Sequence, residues 1–290
     1  MRTLARGARG VTLVIVLWIV AALTILVTGL VQAQRSELRL AGAARTQLLA
    51  SAAGQAAVQL VAQQLAAATA PDPRLRRIVA EHGGRGIEVE VMPLNGLIDL
   101  NTAPGPLLEE LFLRVGALDE TAARNLTAAL LARRQPAPPG GRDGRLEAPE
   151  ELLALPGVDH DVFARIAPLV TTDAAGSGRV NALAAPAEVL VVLAGGNVEL
   201  ARRVADERDA GAVAADTTRL EAAYIDATVS SRYRLTAHVP EPDGSSMAVR
   251  VDIDLRPPAG PAQPPWRILR TRSQRLVGAV QGLTASHGVG

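Results

Sequence analysis

The chain contains no cysteine and very few aromatic residues. Without cysteine it cannot form a disulfide framework, a thiolate nucleophile or a Cys-ligated metal site. Aromatic residues make up 2% of the chain against 48% hydrophobic residues, so its cores must be built from aliphatic side chains. A formal net charge of +1 gives no overall attraction for nucleic acid or acidic substrates. The 290 residues suffice for one large domain or two small ones beyond any membrane segment.

Sequence motifs of catalysis are also missing. The histidines lie far apart without the spacing of metal ligands, and there is neither a Gly-x-Ser-x-Gly elbow nor a P-loop. The sequence therefore predicts a protein that is not an enzyme. Of the three functions considered for this sequence, a hydrolase is the least favoured, because no nucleophile–base pair can be named. The histidines are His82, His160, His238 and His287.

The N-terminus combines a basic segment with a long apolar one. Residues 1–10 contain Arg2, Arg6 and Arg9 and no acid, and residues 11–31 carry no charge. About 20 helical residues span a bilayer core, so this run predicts a transmembrane helix. The basic flank predicts a cytoplasmic N-terminus, with most of the chain on the far side of the membrane.

Two other interpretations of this apolar run are weaker. A cleaved secretory signal would leave a mature chain starting at Gln34, but the run exceeds the usual 7–15 or so apolar residues of a signal peptide. A buried core helix would show a polar face, which the run lacks.

The helical pattern continues through residues 32–70, which contain no proline. Good helix formers dominate this segment, and a stripe at i+4 spacing predicts one packed face. A continuous helix over residues 11–70 would be about 90 Å long. The stripe consists of Leu49, Ala53, Ala57, Val61 and Leu65.

The rest of the chain predicts an α+β body. A sheet is expected from residues 71–96 and 226–270, with strands at 86–93 and 230–269 that include a short one at 266–269. The segment after Pro73 is predicted as a short helical stretch. Residues 97–225 form a large, mostly helical insertion, and residues 271–290 form a flexible tail.

A hairpin is predicted around the turn Asp243-Gly244, with strands at 233–239 and 247–256. In the second strand, valine, isoleucine and leucine alternate with charged residues. Two aspartates on one face of a strand can bind a metal. Because arginines balance them here, the pattern favours the solvated face of an edge strand instead. The charged set consists of Arg250, Asp252, Asp254 and Arg256.

The insertion contains a weak internal repeat, because residues 98–104 match residues 180–186 at an offset of 82. Each copy is expected to be a short extended piece followed by a helix that begins at a proline. In the first copy Thr102 is a plausible N-cap and Pro104 suits the first helical turn. Residues 147–155 and 159–167 predict two helices joined by a tight turn.

The leader resembles that of type IV pilins and pseudopilins, in which a short basic leader ends in glycine. The resemblance implies that prepilin peptidase cuts between Gly10 and Val11, leaving the apolar helix on the mature protein. Family members usually have glutamate at the fifth mature position, which here is Ile15. The resemblance implies that this carboxylate pairs with the N-terminal amine of a neighbouring subunit during fibre assembly, since an unpaired carboxylate in an apolar bundle is costly. The resemblance therefore implies a subunit that starts a fibre but joins an existing one poorly.

Further motifs resemble the minor pseudopilin K family of type II secretion systems (general secretion pathway protein K). The resemblance covers about residues 10–256. It implies an inner-membrane, single-pass protein with a periplasmic body at the tip of a pseudopilus. Implied partners are minor pseudopilins I and J, prepilin peptidase, other pseudopilus and inner-membrane secretion components and membrane lipid, without nucleic acid. The motifs lie at residues 151–158, 163–168 and 185–190, and at Asn101, Thr102, Ala103, Pro104, Pro156 and Gly157.

Some relatives bind calcium in this kind of domain. The acidic stretch that commonly follows the helix ending near Arg134 is missing here. No calcium ligands can therefore be assigned, and the sequence predicts no cofactor.

The helical hairpin at residues 147–167 supports an alternative, a membrane-anchored extracytoplasmic DNA-binding module. Turns like that at Pro156 and Gly157 can offer backbone N–H groups to phosphate. Against this, Asp159 and Asp161 add negative charge beside the turn, the second glycine of the usual hairpin is absent, and no basic–aromatic patch accompanies it.

Overall fold

The computed structural model has the predicted α+β class, with one long helix, a five-stranded antiparallel sheet and a largely helical insertion. It describes residues 7–70, 72–135, 144–210, 215–256 and 264–276, and in the first helix it describes side chains at 16–24 and 41–67. The helices are α1 Gly7–Ala67, α2 Gly105–Arg114, α3 Glu120–Arg133, α4 His160–Ile166, α5 Ala187–Leu193 and α6 Val198–Asp209. The strands are β1 Arg76–His82, β2 Arg85–Pro93, β3 Ile98–Asp99, β4 Val170–Thr171, β5 Arg232–Pro240, β6 Ser246–Asp254 and β7 Arg267–Leu276.

Helix α1 is continuous, as predicted, and ends at Ala67. The chain divides into two compact units, residues 1–52 and 53–290. In the first unit, Leu17 and Trp18 are exposed. Within the described residues, no helix combines the length and apolar character that crossing a membrane requires. The predicted membrane span, residues 11–31, includes many side chains outside the described set and stays a prediction.

The second unit contains the five-stranded sheet, in the order β1-β2-β5-β6-β7. Its inner face is apolar and lies against the last turns of α1. A Cβ on Gly54 of α1 would lie only 2.6 Å from Cγ2 of Val249, so this glycine allows the helix to approach β6 closely. Of the predicted stripe, Ala57, Val61 and Leu65 are buried, whereas Leu49 in the first unit is exposed.

The prediction of a helical stretch after Pro73 is wrong, because β1 occupies Arg76–His82. The two-residue turn that joins β1 to β2 is Gly83-Gly84, and both glycines have positive φ. Such a turn matches the right-handed twist of a hairpin and favours strand pairing over a local helix. The tail predicted from residue 271 is also wrong as far as Leu276, because β7 pairs with β6 up to that residue.

The prediction of a solvated outer face on β6 is wrong for two of its four residues. Asp252 and Asp254 are buried, Arg250 is half-buried and Arg256 is exposed. Strand β6 lies between β5 and β7 rather than at an edge, and the insertion covers part of its outer face.

The insertion has its own hydrophobic core, which is mostly aliphatic and is formed by side chains of β3, α2, α3, α4, α5 and α6. Helices α2, α3, α4, α5 and α6 lie within one residue of the bounds that the sequence pattern predicts, which are 104–115, 119–134, 159–167, 186–194 and 197–209. The predicted helix at 147–155 is instead a 3-10 helix, Pro149–Ala154. The predicted N-cap Thr102 is also wrong, because Pro104 occupies the N-cap position of α2.

Candidate functional site

The N-terminal site residues lie within α1. Gly10, Val11 and Ile15 belong to this helix, but their side chains fall outside the described set. Cleavage between Gly10 and Val11, and the consequence of Ile15 at the assembly position, therefore stay predictions.

Asn101 joins three segments of the insertion. Its side-chain carbonyl accepts a hydrogen bond from the Leu146 N–H at 2.8 Å. Its Nδ2 donates to the carbonyl oxygens of Leu146, at 2.9 Å, and Thr172, at 3.3 Å. The loop before the 3-10 helix and the end of β4 are thus fixed to the start of the Asn-Thr-Ala-Pro motif. The side chain binds backbone groups of its own chain, which is a structural role.

The other motif residues also contribute to the core and turn. The Ala103 side chain is buried, and its carbonyl accepts a hydrogen bond from Arg134 Nη1 at 2.8 Å. The Thr102 Oγ1 is buried without a hydrogen-bond partner among the described residues. Pro104 has extended backbone angles and precedes the first residue of α2.

The second repeat copy reproduces this geometry. In the first copy the Asn101 N–H donates to Asp99 Oδ1 at 2.7 Å, and in the second the Leu183 N–H donates to Asn181 Oδ1 at 3.0 Å. Each copy also makes a parallel β-bridge to a later segment, Ile98 with Val170 and Val180 with Ile225. The repeat detected in the sequence is therefore also a repeat of structure.

Each repeat copy is followed by a pair of helices, α2 and α3 after the first copy and α5 and α6 after the second. An arginine near the end of the second helix of each pair makes an equivalent hydrogen bond. Arg134, the C-cap of α3, donates to the carbonyl of Ala103, and Arg208 in α6 donates to the carbonyl of Ala185. Burial lowers the pKa of Arg134, and the charge of Asp99 opposes that shift. Burial raises the pKa of Asp99, while the N–H of Asn101 acts in the opposite direction.

The Pro156-Gly157 turn does not offer a helix N-terminus to phosphate. Gly157 has a φ of +88°, which permits the tight turn. The N-terminus of α4 is already occupied, because Asp159 accepts a hydrogen bond from the Val162 N–H at 2.7 Å. A phosphate would have to displace this carboxylate and would be repelled by it. The geometry therefore does not favour the DNA-binding alternative.

A polar cavity of about 740 Å³ lies beside Asn101. It contains basic and acidic side chains in close pairs, such as Arg133 Nη2 with Glu151 Oε2 at 2.7 Å. The side chain of Glu151 also accepts from the Glu147 N–H, and these hydrogen bonds outweigh the effect of burial and lower its pKa. Across the described ranges, no cluster of three or more His, Asp or Glu side chains could hold a metal ion.

The outer face of the sheet contacts the insertion through arginines. Arg234 forms a bidentate ion pair with Asp252, at 2.9 and 3.0 Å, and donates to the carbonyl of Pro168 at 3.3 Å. Arg232 donates to the carbonyl of Asp173 at 2.7 Å, and Arg270 to that of Glu147 at 2.9 Å. These arginines attach the helical insertion to the sheet.

Asp254 forms ion pairs with three arginines. Its carboxylate contacts Arg232 at 3.1 Å, Arg267 at 3.8 Å and also Arg256. Burial alone would raise the pKa of Asp254, but the Arg256 hydrogen bonds and the arginine charges lower it to about 2. The sequence pattern did not predict this cluster, since its members come from β5, β6 and β7.

The chain is similar to solved structures but matches no family model and no curated protein. Among solved structures, the chain is similar to a chain of the GspK-GspI-GspJ complex from the enterotoxigenic Escherichia coli type 2 secretion system. The two share 14% sequence identity with a TM-score of 0.44, over 84% of this chain and 98% of that chain.

Proposed function

We propose that this protein is a minor pseudopilin of a type II secretion system, which nucleates and caps the tip of a periplasmic pseudopilus together with minor pseudopilins I and J. The proposal includes processing by prepilin peptidase and contact with other pseudopilus and inner-membrane components. It also includes insertion in the inner membrane by a single span, with a cytoplasmic N-terminus and a periplasmic body. The protein would act without catalysis and without a cofactor.

The observation that carries this proposal is the single helix α1, which continues from Gly7 to Ala67 and ends against a sheet. Such an arrangement suits a subunit whose helix joins a bundle while its body remains outside the membrane. The body is enlarged by an insertion between β2 and β5, whose bulk would hinder stacking of another subunit above it.

The exposed side of α1 in the second unit is suited to packing against other helices. From residue 46 to residue 71 the sequence contains no charged residue. The exposed positions of this part of α1 include Gln55, Gln59, Leu60 and Gln63. Burying uncharged side chains between helices avoids the high cost of desolvating ions, and glutamines can hydrogen-bond across the contact.

The test is co-purification of the full-length chain with I- and J-type minor pseudopilins, co-expressed and extracted in mild detergent. We expect both partners to be recovered with the tagged chain. The double change Gln59→Arg and Gln63→Arg should reduce recovery at least about tenfold, because each buried unpaired charge costs several kcal/mol. Gln135→Arg, at an exposed position after α3, is the matched control and should leave recovery unchanged.

Two results would contradict the proposal. The first is no recovery of either partner with the wild-type chain when all three proteins are expressed and soluble in detergent. The second is equal recovery with the Gln59/Gln63 double variant and with wild type, which would remove α1 as the assembly surface.

A further inference from the structure

We infer that a small cavity between the outer face of the sheet and the helical insertion binds a carboxylate group, which the guanidinium of Arg250 holds. This inference goes beyond the proposed function, because it concerns the contact between insertion and sheet rather than α1. It rests on the unpaired charge of Arg250, on the charges around it and on the shape of the cavity.

Arg250 lies on β6, within the outer face of the sheet, and its cross-strand neighbours are Thr236 of β5 and Arg272 of β7. It is half-buried and lines the cavity. Among the described residues, none forms a hydrogen bond or an ion pair with its guanidinium. Its nitrogens are not fully buried either, so solvent reaches them through the cavity. A guanidinium has five N–H donors and stays charged, so Arg250 has the capacity to bind an anion that enters there.

The charges next to Arg250 favour an anion. Arg272 lies directly opposite on the neighbouring strand, where like charges destabilise the pair. Burial, and then the charge of Arg234, lower the pKa of Arg250, while Asp252 and Glu90 act in the opposite direction. A bound anion would reduce both the repulsion between the arginines and the cost of burying an unpaired charge.

The charges of the cavity wall predict the charge of the ligand. The wall contains four arginines and two acids. Three of these arginines pair with acids of this chain, so only Arg250 lacks a counter-ion among the described residues. A ligand with one negative charge balances it, whereas the two acids of the wall would repel a dianion more strongly. The pairs are Arg234 with Asp252, Arg272 with Glu150, and Arg270 with Glu150 and Asp173.

The size and the apolar side of the cavity favour a carboxylate over other monovalent anions. The cavity volume is about 20 Å³, which is room for one or two water-sized groups, such as the two oxygens of a carboxylate. The planar fork of a guanidinium matches these two oxygens. Pro149, Phe163 and Ala167 of the insertion line the cavity as well and offer an apolar surface to the carbon atoms of the ligand. Chloride would leave that surface unused.

A solute reaches the cavity from the side of β7. The side chains of Arg272 and Glu150 are 44% and 38% exposed, whereas those of Arg234 and Asp252 are 5% and 2% exposed. The carboxylate can therefore belong to a free small acid or to the slim side chain of a glutamate from another protein. The two sources present the same chemistry, and separate ligands distinguish them in the experiment.

The experiment measures thermal unfolding of the full-length chain in detergent at constant ionic strength. Sodium gluconate is the balancing salt, because its hydroxylated carbons make it too bulky for the cavity. Acetate at roughly ten times its dissociation constant should raise the midpoint of unfolding by about 3–6 °C. Chloride or sulfate in place of gluconate should give less than about half of this shift, since neither matches the charge, fork and apolar side together.

The N-acetyl amide of glutamate separates the two sources of the carboxylate. This compound presents the carboxylate on the same stem as a protein side chain. A shift that requires less of it than of acetate supports the site and assigns it to a glutamate of another protein. A shift that requires less acetate supports the site and assigns it to a free small acid.

Variants localise the carboxylate. Arg250→Met removes the guanidinium and should reduce the acetate shift at least about fivefold, because one charge-assisted fork is lost. In gluconate alone it should keep or raise the midpoint, because it removes an unpaired, half-buried charge. Arg85→Met makes the same exchange at an exposed position of β2 and should leave the acetate shift unchanged. Ala167→Leu fills the apolar side of the cavity without changing any charge and should abolish the acetate shift.

Four outcomes would overturn the inference. Equal shifts from acetate and chloride would show a general salt effect. An equal acetate shift in Arg250→Met and in wild type would place the carboxylate elsewhere. A lower midpoint of Arg250→Met than of wild type in gluconate would show that Arg250 already has a stabilising partner within the chain. The absence of any shift with either acetate or the glutamate derivative would remove the site altogether.

Discussion

Replacing Asp252 with alanine is expected to lower the free energy of unfolding by about 3–5 kcal/mol. The side chains of Arg234 and Asp252 are 5% and 2% exposed and form a bidentate ion pair. Removing the carboxylate leaves the guanidinium buried with a single long contact to the Pro168 carbonyl. A buried charge without its counter-ion costs far more than an exposed ion pair contributes. Urea unfolding of the full-length chain in detergent, followed by circular dichroism, measures the loss.

Two controls separate the ion pair from a general effect of mutation in the sheet. The double variant Arg234→Met with Asp252→Leu removes both charges and should be much less destabilised than Asp252→Ala. Glu199→Ala removes an exposed acid paired with Arg202 at 3.5 Å on α6, and should cost less than about 1 kcal/mol. If Asp252→Ala costs no more than Glu199→Ala, the pair is not buried as the structure shows.

Replacing Asn101 with alanine is expected to cost about 2–4 kcal/mol. The change removes one accepted and two donated hydrogen bonds and leaves the N–H of Leu146 without a partner. An unsatisfied buried donor costs roughly 1–3 kcal/mol in addition to the bonds lost. Proteolysis should then open the loop around residue 146 sooner than in wild type, because Asn101 fixes this loop to β4. Urea unfolding with limited proteolysis measures both effects.

Asn197→Ala is the matched control for this prediction. Asn197 caps α6 and accepts one hydrogen bond, from the Leu200 N–H at 3.0 Å. Loss of such a cap typically costs about 1 kcal/mol. An Asn101→Ala variant no less stable than Asn197→Ala, with unchanged proteolysis, would contradict the joining role given to Asn101.

The elements best predicted from the sequence are those specified by local chemistry. Pro104 and Pro186 marked the starts of α2 and α5, and Asn197 and the Asp243-Gly244 turn lie where the pattern placed them. Each of these residues acts on backbone groups within a few positions along the chain. Local preference and final structure therefore agree there.

The predictions that failed concern residues whose structure depends on partners distant in the sequence. Strand β1 is made by pairing with β2, although its arginine-rich sequence gives no clear period of two. Asp252 carries the sequence signature of a solvated strand face, but it is buried because Arg234 and the insertion cover it. Arg234, the partner of Asp252, lies 18 residues away in the sequence, and the partner of β1 lies across a hairpin. Periodicity within one strand carries no information about either partner.

The internal repeat was only partly visible in the sequence. The matched segments at residues 98–104 and 180–186 share the turn that Asp99 and Asn181 form with the backbone. The equivalent arginines, Arg134 and Arg208, do not keep the offset of 82, because the two helix pairs differ in length. Their common role, donation to the carbonyl before the proline, is visible only in three dimensions.

Processing and assembly of this chain as a pseudopilin are tested most directly at the junction of Gly10 and Val11. The measurement is N-terminal sequencing of mature protein from a host that contains prepilin peptidase, with a strain lacking the peptidase as the control. We expect a mature chain that begins at Val11 only when the peptidase is present. A mature chain that begins at Gln34, or one that retains residues 1–10 in both strains, would contradict this expectation.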